Sequence, residues 1–220
     1  MGMPDYALSS YEFDLLWNEL CLGRMPGSLV VPRTGRTPGE RAVLAKEIYR
    51  ELTDRGLVDH DRRVDVGLSG LLRLLSGYRV AVDLVGDIGY PVRAVAATDG
   101  RAGVLAMLAG GELWLTGISP AGLATAIVGL LPAARPPGRN AGGRFGFSAS
   151  GGRAVASAMT WFDTESGRYL VVDEQSRLCL VSTGRAGIER RIAGCLLPAG
   201  DTSRHRDQAR RPVDSPFAEG

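Results

Sequence analysis

The sequence predicts an α+β fold in which two strand–strand–helix units share one central antiparallel sheet. Three observations lead there. Val104–Ala133 lies without gaps over Tyr169–Pro198, 65 residues downstream. Leu105, Leu113, Leu115, Ala121, Gly122, Ile127, Gly129 and Leu131 of the first copy fall on Leu170, Leu178, Leu180, Ala186, Gly187, Ile192, Gly194 and Leu196 of the second. Within each copy, two short runs suited to strands flank a turn and precede a stretch of helical spacing. Two copies are too few for a solenoid, which needs three or more stacked units, so two half-domains sharing a sheet follow.

The elements can be taken in order. Ser9 caps a first helix and Glu12 completes its capping box. Phe13, Leu16, Trp17 and Leu20 form the apolar stripe of that helix, and Gly23 supplies the stop. Met25–Pro32 reads as an extended connector. Thr37 caps a second helix with Pro38 at its first position and Glu40 closing the box. Leu44, Ile48 and Leu52 stripe its inner side, and Gly56 ends it. A third helix is expected from about Asp65 to Leu75, with Leu68, Leu71, Leu72 and Leu75 inward.

Strands follow over Tyr78–Val85 and Pro91–Thr98, the latter leading into a turn at Asp99-Gly100. Gly103–Leu108 and Glu112–Ile118 pair around Gly110-Gly111, whose glycines accept positive φ. Ser119-Pro120 starts the helix that closes the first copy. Trp161–Asp163, Tyr169–Asp173 and Leu178–Ser182 rebuild the strands, and Arg185–Leu197 rebuilds the helix. These elements give one domain over residues 1–198, with halves at about 1–133 and 153–198 and a Pro/Gly/Arg-rich linker at 134–152. Residues 199–220 carry mixed charge and few apolar residues, a composition that predicts disorder.

The totals narrow the function. At 220 residues, 45% hydrophobic and a net charge of +2, the composition is that of an ordinary globular protein. The basic excess is too small to predict nucleic-acid binding. Cys21, Cys179 and Cys195 are an odd, widely spaced set, which reads as free thiols in a reducing compartment. The first ten residues lack the basic and apolar regions of an export signal, and no apolar run is long enough to span a bilayer. The expectation is a cytoplasmic protein without membrane insertion.

Reactive chemistry is hard to find. His60 and His205 are the only imidazoles, so nucleophilic triads have few possible bases. Asp59-His60-Asp61 reads as a solvated loop, and no Cys or His pair has zinc spacing. Gly142-Gly143-Arg144-Phe145-Gly146 lacks the strand-before, helix-after context of a phosphate loop. Trp161-Phe162-Asp163-Thr164 has no second carboxylate to make an acid–base pair and reads as packing followed by a turn. Arg41, Arg50, Arg55, Arg62, Arg63 and Arg73 are interleaved with acids, as on a solvated helical face. No enzyme, metal or cofactor is expected.

The strand faces suggest a different use. One face is expected to collect Leu105, Met107, Leu113 and Leu115, echoed by Leu170, Val172, Leu178 and Leu180, and to pack against helices. The other carries Val104, Ala106, Trp114, Thr116, Tyr169, Val171, Cys179 and Val181, and is less polar than a half-exposed face should be. Either further helices of the chain cover it, or a partner protein does. Val104, Trp114, Thr116, Tyr169, Val171, Cys179 and Val181 are therefore the candidate binding residues.

Several short segments carry a family resemblance. Glu12-Phe13-Asp14, Leu16-Trp17, Leu22-Gly23, Met25-Pro26, Val31-Pro32, Gly35-Arg36-Thr37, Glu40-Arg41 and Arg55-Gly56-Leu57 resemble the EspG family of ESX secretion-associated proteins. Trp161-Phe162-Asp163-Thr164 with Gly167-Arg168-Tyr169-Leu170 resembles its second signature. The resemblance implies a sheet flanked by helical bundles in two quasi-symmetric halves. It also implies a cytosolic chaperone of type VII secretion in actinobacteria that masks the hydrophobic tip of a helical substrate. The partner so implied is a PE–PPE-like heterodimer or an actinobacterial equivalent. The alternative is a structural or regulatory adaptor that acts through self-association, as a homodimer.

Overall fold

A computed structural model describes residues 3–35, 37–133, 141–150, 153–154, 156, 158–174 and 177–196. The N-terminal part forms β1 (Tyr6–Ser9), α1 (Ser10–Glu19), a 3-10 turn (Gly27–Leu29), α2 (Pro38–Asp54) and α3 (Val66–Ser76). A first meander follows, with β2 (Val80–Asp87), β3 (Pro91–Thr98), β4 (Gly103–Ala109) and β5 (Glu112–Ile118), then α4 (Leu123–Gly129). The second has β6 (Gly142–Ala149), β7 (Arg153–Ala154), β8 (Met159–Thr164), β9 (Gly167–Glu174) and β10 (Arg177–Ser182), then α5 (Arg185–Leu196).

All strands join one ten-stranded sheet in the order β1-β5-β4-β3-β2-β6-β8-β9-β10, with β7 on β6. Each pairing is antiparallel. β2 and β6 meet at the centre, from Val80 opposite Ala149 to Asp87 opposite Gly142, and the two meanders run outward from that seam.

Local chemistry explains the helix starts. In α1, Ser9 Oγ accepts the Glu12 N–H at 3.2 Å while the Glu12 carboxylate accepts the Ser9 N–H at 2.6 Å. Thr37 and Glu40 repeat the device for α2, with Pro38 inside the start. Asp65 caps α3 by accepting the Leu68 N–H at 2.9 Å, and the same Oδ1 accepts the Tyr6 hydroxyl at 2.7 Å. That shared oxygen fastens α3 to the edge strand β1.

The two sheet faces carry separate cores. Helices α1–α3 bury Leu8, Val95, Ala97, Val104, Ala106, Leu108, Leu113 and Leu115 on one face. Helices α4 and α5 bury Val82, Leu84, Met107, Phe145, Phe147, Trp161, Leu170 and Val172 on the other. A central antiparallel sheet flanked by helices is therefore the architecture, with β4 and β5 followed by α4 and β9 and β10 followed by α5.

Four expectations need correction. Residues 134–152 are not simply a linker, because 142–149 form β6 and pair with β2 along its full length. Residues 134–140 and 151–152, and the tail at 199–220, lie outside the described residues. The helix expected from Ser119-Pro120 starts later, at Leu123, because Ser119 O accepts the Gly122 N–H in a turn first.

Arg41 and Arg55 do not lie on a solvated face. They pair with the buried carboxylates of Asp14 at 3.0 Å and Glu12 at 2.7 Å. Asp14 also accepts the Thr34 N–H at 2.7 Å. Charges removed from water this far must be paired, so these acids clamp α1 to α2.

The strand faces divide differently from expectation. Gly110 (φ 59°) and Gly111 (φ 86°) make a two-residue turn, which places Ala109 opposite Glu112. Facing residues then differ in parity: Leu105 faces Thr116, Met107 faces Trp114, and Ala106 faces Leu115. The β9–β10 hairpin obeys the same rule, with Leu170 facing Val181, Val172 facing Cys179, and Val171 facing Leu180. Directly opposed residues share a face. The expected aliphatic face therefore drew residues from both sides of the sheet.

Candidate functional site

The face covered by α1–α3 in the first meander continues across the second meander, where no helix among the described residues lies over it. Through the register, Arg144, Thr160, Phe162, Tyr169, Val171, Leu178 and Leu180 stand on that same side. Leu178 is 81% exposed and Leu180 61% exposed. The rings of Phe162 and Tyr169 stack with centroids 5.8 Å apart and planes 22° apart. An aromatic pair flanked by valine and two exposed leucines is an apolar surface of the kind that marks interaction sites.

What stands behind this surface is buried and paired. Trp161 is buried on the opposite side while its neighbour Phe162 points outward, as strand alternation requires. Asp163 and Arg168 form a two-pronged ion pair, Nε to Oδ1 at 2.6 Å and Nη2 to Oδ2 at 2.7 Å. Both side chains are buried. Arg168 also donates to Pro132 O at 2.9 Å and lies 5.1 Å from the Trp161 ring centroid. One arginine thus ties the β8–β9 hairpin to the segment after α4. The Trp161 Nε1 is buried with no hydrogen-bond partner among the described residues.

At the boundary between the covered and bare halves runs a groove of about 380 Å³. Pro26, Gly27 and Ser28 wall it, and Ala81, Asp83 and Val85 of β2 are in its lining. The Asp83 carboxylate lies over Gly146, where an added Cβ would come within 2.5 Å of its Oδ1. Burial pushes this carboxyl up, and Arg144 opposes the shift.

The seven residues proposed from sequence fall in three places. Val104 is 0% exposed beneath α1–α3 and can touch no partner in this fold. Trp114 and Thr116 line a smaller cleft on the opposite face with Met3, Pro4, Leu105, Met107 and Leu130. Cys179 and Val181 also lie on that opposite face, packed against the core under α5. Tyr169 and Val171 alone belong to the bare surface. Phe162, Leu178 and Leu180 share that surface but are not among the seven, although hairpin register applied as a parity rule groups them with Tyr169 and Val171.

Chemistry-bearing side chains do not converge. Among the described residues no group of three or more His, Cys, Asp or Glu could hold a metal ion. Cys21, Cys179 and Cys195 are free thiols. No helix among the described residues is long and apolar enough to cross a membrane. The buried acids Glu12, Asp14 and Asp163 each have an arginine partner and hold elements together.

A wide sheet with paired buried charges and a bare apolar patch defines a scaffold built for contact with another macromolecule. The model of the EspG family matches residues 9–141, more than half of the chain, and the chain belongs to that family. The Glu12–Arg55 and Asp14–Arg41 pairs lie within the matched region. No curated protein matches the sequence. A similar solved structure is that of the Mycobacterium tuberculosis type VII secretion system chaperone EspG5 in complex with the PE25-PPE41 dimer. It matches with a TM-score of 0.63 and 14% identity, over 89% of this chain and 98% of that one. At that identity the likeness is one of fold.

Proposed function

We propose that this protein is a cytosolic, non-enzymatic chaperone of type VII secretion that binds a helical, PE–PPE-like substrate pair. Its working unit is residues 1–198, two halves sharing one sheet. Family membership and the fold shared with a chaperone of a PE–PPE dimer support the class. The observation that carries the reading is the face of the second meander, where Leu178 and Leu180 are exposed beside the half-buried Phe162, Tyr169 and Val171, next to a half in which Leu113 and Leu115 are buried under helices.

The mechanism is mass action. An apolar tip of the substrate docks on the bare face and in the adjoining groove, in the manner of a helix laid on an apolar surface. Binding stabilises the soluble complex over self-association of the substrate. Trp114 and Thr116, on the other face, are a secondary candidate contact.

The test is co-expression of the full chain with a PE–PPE-type pair, read by co-purification and by the soluble fraction of the pair. The expected result is a stoichiometric complex lost in Leu178→Asp/Leu180→Asp. Binding unchanged by that double variant would move the site elsewhere, and absence of any complex would overturn the reading.

A further inference from the structure

The two ends of the sheet differ in how their edges are finished. On β1, Ser10 N–H bonds to Gly111 O, so alternation turns the polar backbone groups of Ala7 and Ser9 away from β5. Both residues find partners there. Arg55 Nη2 donates to the Ala7 carbonyl, and the Glu12 carboxylate accepts the Ser9 N–H at 2.6 Å. The Glu12–Arg55 ion pair therefore closes this edge.

On β10, Thr183 N–H bonds to Arg168 O, and the same alternation turns Leu178, Leu180 and Ser182 away from β9. No hydrogen bond from a described residue reaches their outward backbone groups. The strand holds no proline and no lysine, and its one charge, Arg177, sits at its end. Among the described residues, the usual devices that blunt an edge are missing here.

We propose that β10 pairs antiparallel with β10 of a second copy, joining two sheets into one. A free edge asks for another strand, which a helical partner cannot supply and a second copy can. Centring the pair on Leu180 places Leu180 opposite itself, and Leu178 of one copy opposite Ser182 of the other. No charges face each other in that register. The two-fold axis runs through the sheet, so both bare faces look the same way and their leucines become contiguous. The interface is isologous and closes at two subunits.

The test is sedimentation velocity of the full chain over a range of concentrations, with Leu180→Pro and Leu180→Lys. Proline at this outward position removes an edge donor without removing a bond to β9. The expected result is a reversible dimer, weakened by about a hundredfold or more in both variants, with circular dichroism unchanged. If Leu180→Pro fails to fold, Leu180→Lys decides. A wild-type chain that stays monomeric, or a dimer that survives both substitutions, overturns the proposal. The outcome is separable from the chaperone reading: a monomer that binds its PE–PPE-type pair refutes only the dimer, and a dimer that binds none refutes only the chaperone.

Discussion

Leu113 and Leu115 of β5 and Leu178 and Leu180 of β10 are the same residue type, each pair on the second strand of a hairpin that leads into a helix, on the same side of one sheet. The first pair is fully buried and the second is 81% and 61% exposed. The difference lies in what precedes each meander. Three helices lie before β2 and fold back over its meander, whereas only residues 130–141 separate α4 from β6. A strand's sequence therefore sets which way its leucines point, while cover from elsewhere sets whether water reaches them. A fully buried leucine contributes roughly 1.5–3 kcal/mol. For Leu178 and Leu180 that contribution is available only when something docks.

The sharpest test of the contrast concerns what holds the bare half in place. Arg168→Ala leaves the buried Asp163 carboxylate unpaired and should cost about 3–5 kcal/mol in urea denaturation. A loss below ~1 kcal/mol, the value of an exposed pair, would mean that the second meander is held by packing alone. Next comes the matched pair of leucines. Leu115→Ala should destabilise by about 2–5 kcal/mol, against about 0.5 kcal/mol or less for Leu180→Ala. Equal losses in the same melting experiment would erase the distinction between a roofed and a bare half.

Phe162→Ala addresses the bare half's use. It should weaken substrate binding about tenfold or more by calorimetry, as expected for an aromatic anchor, while stability changes little. The smallest effect belongs to the roofed half. The Leu68 N–H and the Tyr6 hydroxyl hold the Asp65 carboxyl below the usual aspartate range. Its folded value is thus lower than its unfolded one. The stabilisation is present above the ordinary aspartate value and disappears as pH falls through the lower folded value. Asp65→Ala should flatten the acid limb of a stability–pH curve, and an unchanged limb would show that this cap does not couple α3 to β1.

Much of the fold was legible because local signals were strong. The capping boxes at Ser9 and Thr37 fixed two helix starts, and the Gly110-Gly111 turn fixed a hairpin whose β5 range agrees with expectation. β1 was not legible, since four residues pairing with a strand far along the chain leave no local signature. β6 was obscured by its glycines, which read as loop. The site was lost at one step, the side to which alternate residues point, because a shift of one position exchanges the faces entirely. The pairing of the part-exposed Arg41 and Arg55 with the buried Asp14 and Glu12 was equally hidden: charges look alike in sequence whether water or a partner satisfies them.

The position of β1 also bears on how the chain reaches its fold. Just past its end, Ser10 bonds to Gly111 in the turn before β5, 101 residues away. The first meander, by contrast, forms through successive hairpins between neighbours. Closing a short loop costs less entropy than closing a long one, so β2–β5 can assemble while β1 still waits. During synthesis the order is harsher, because domains emerge from the N-terminus onward. Leu8, Phe13 and Leu16 leave the ribosome before the strands they shelter, the last of which, β5, ends at Ile118. The roof of the molecule is made before its walls and seated after them.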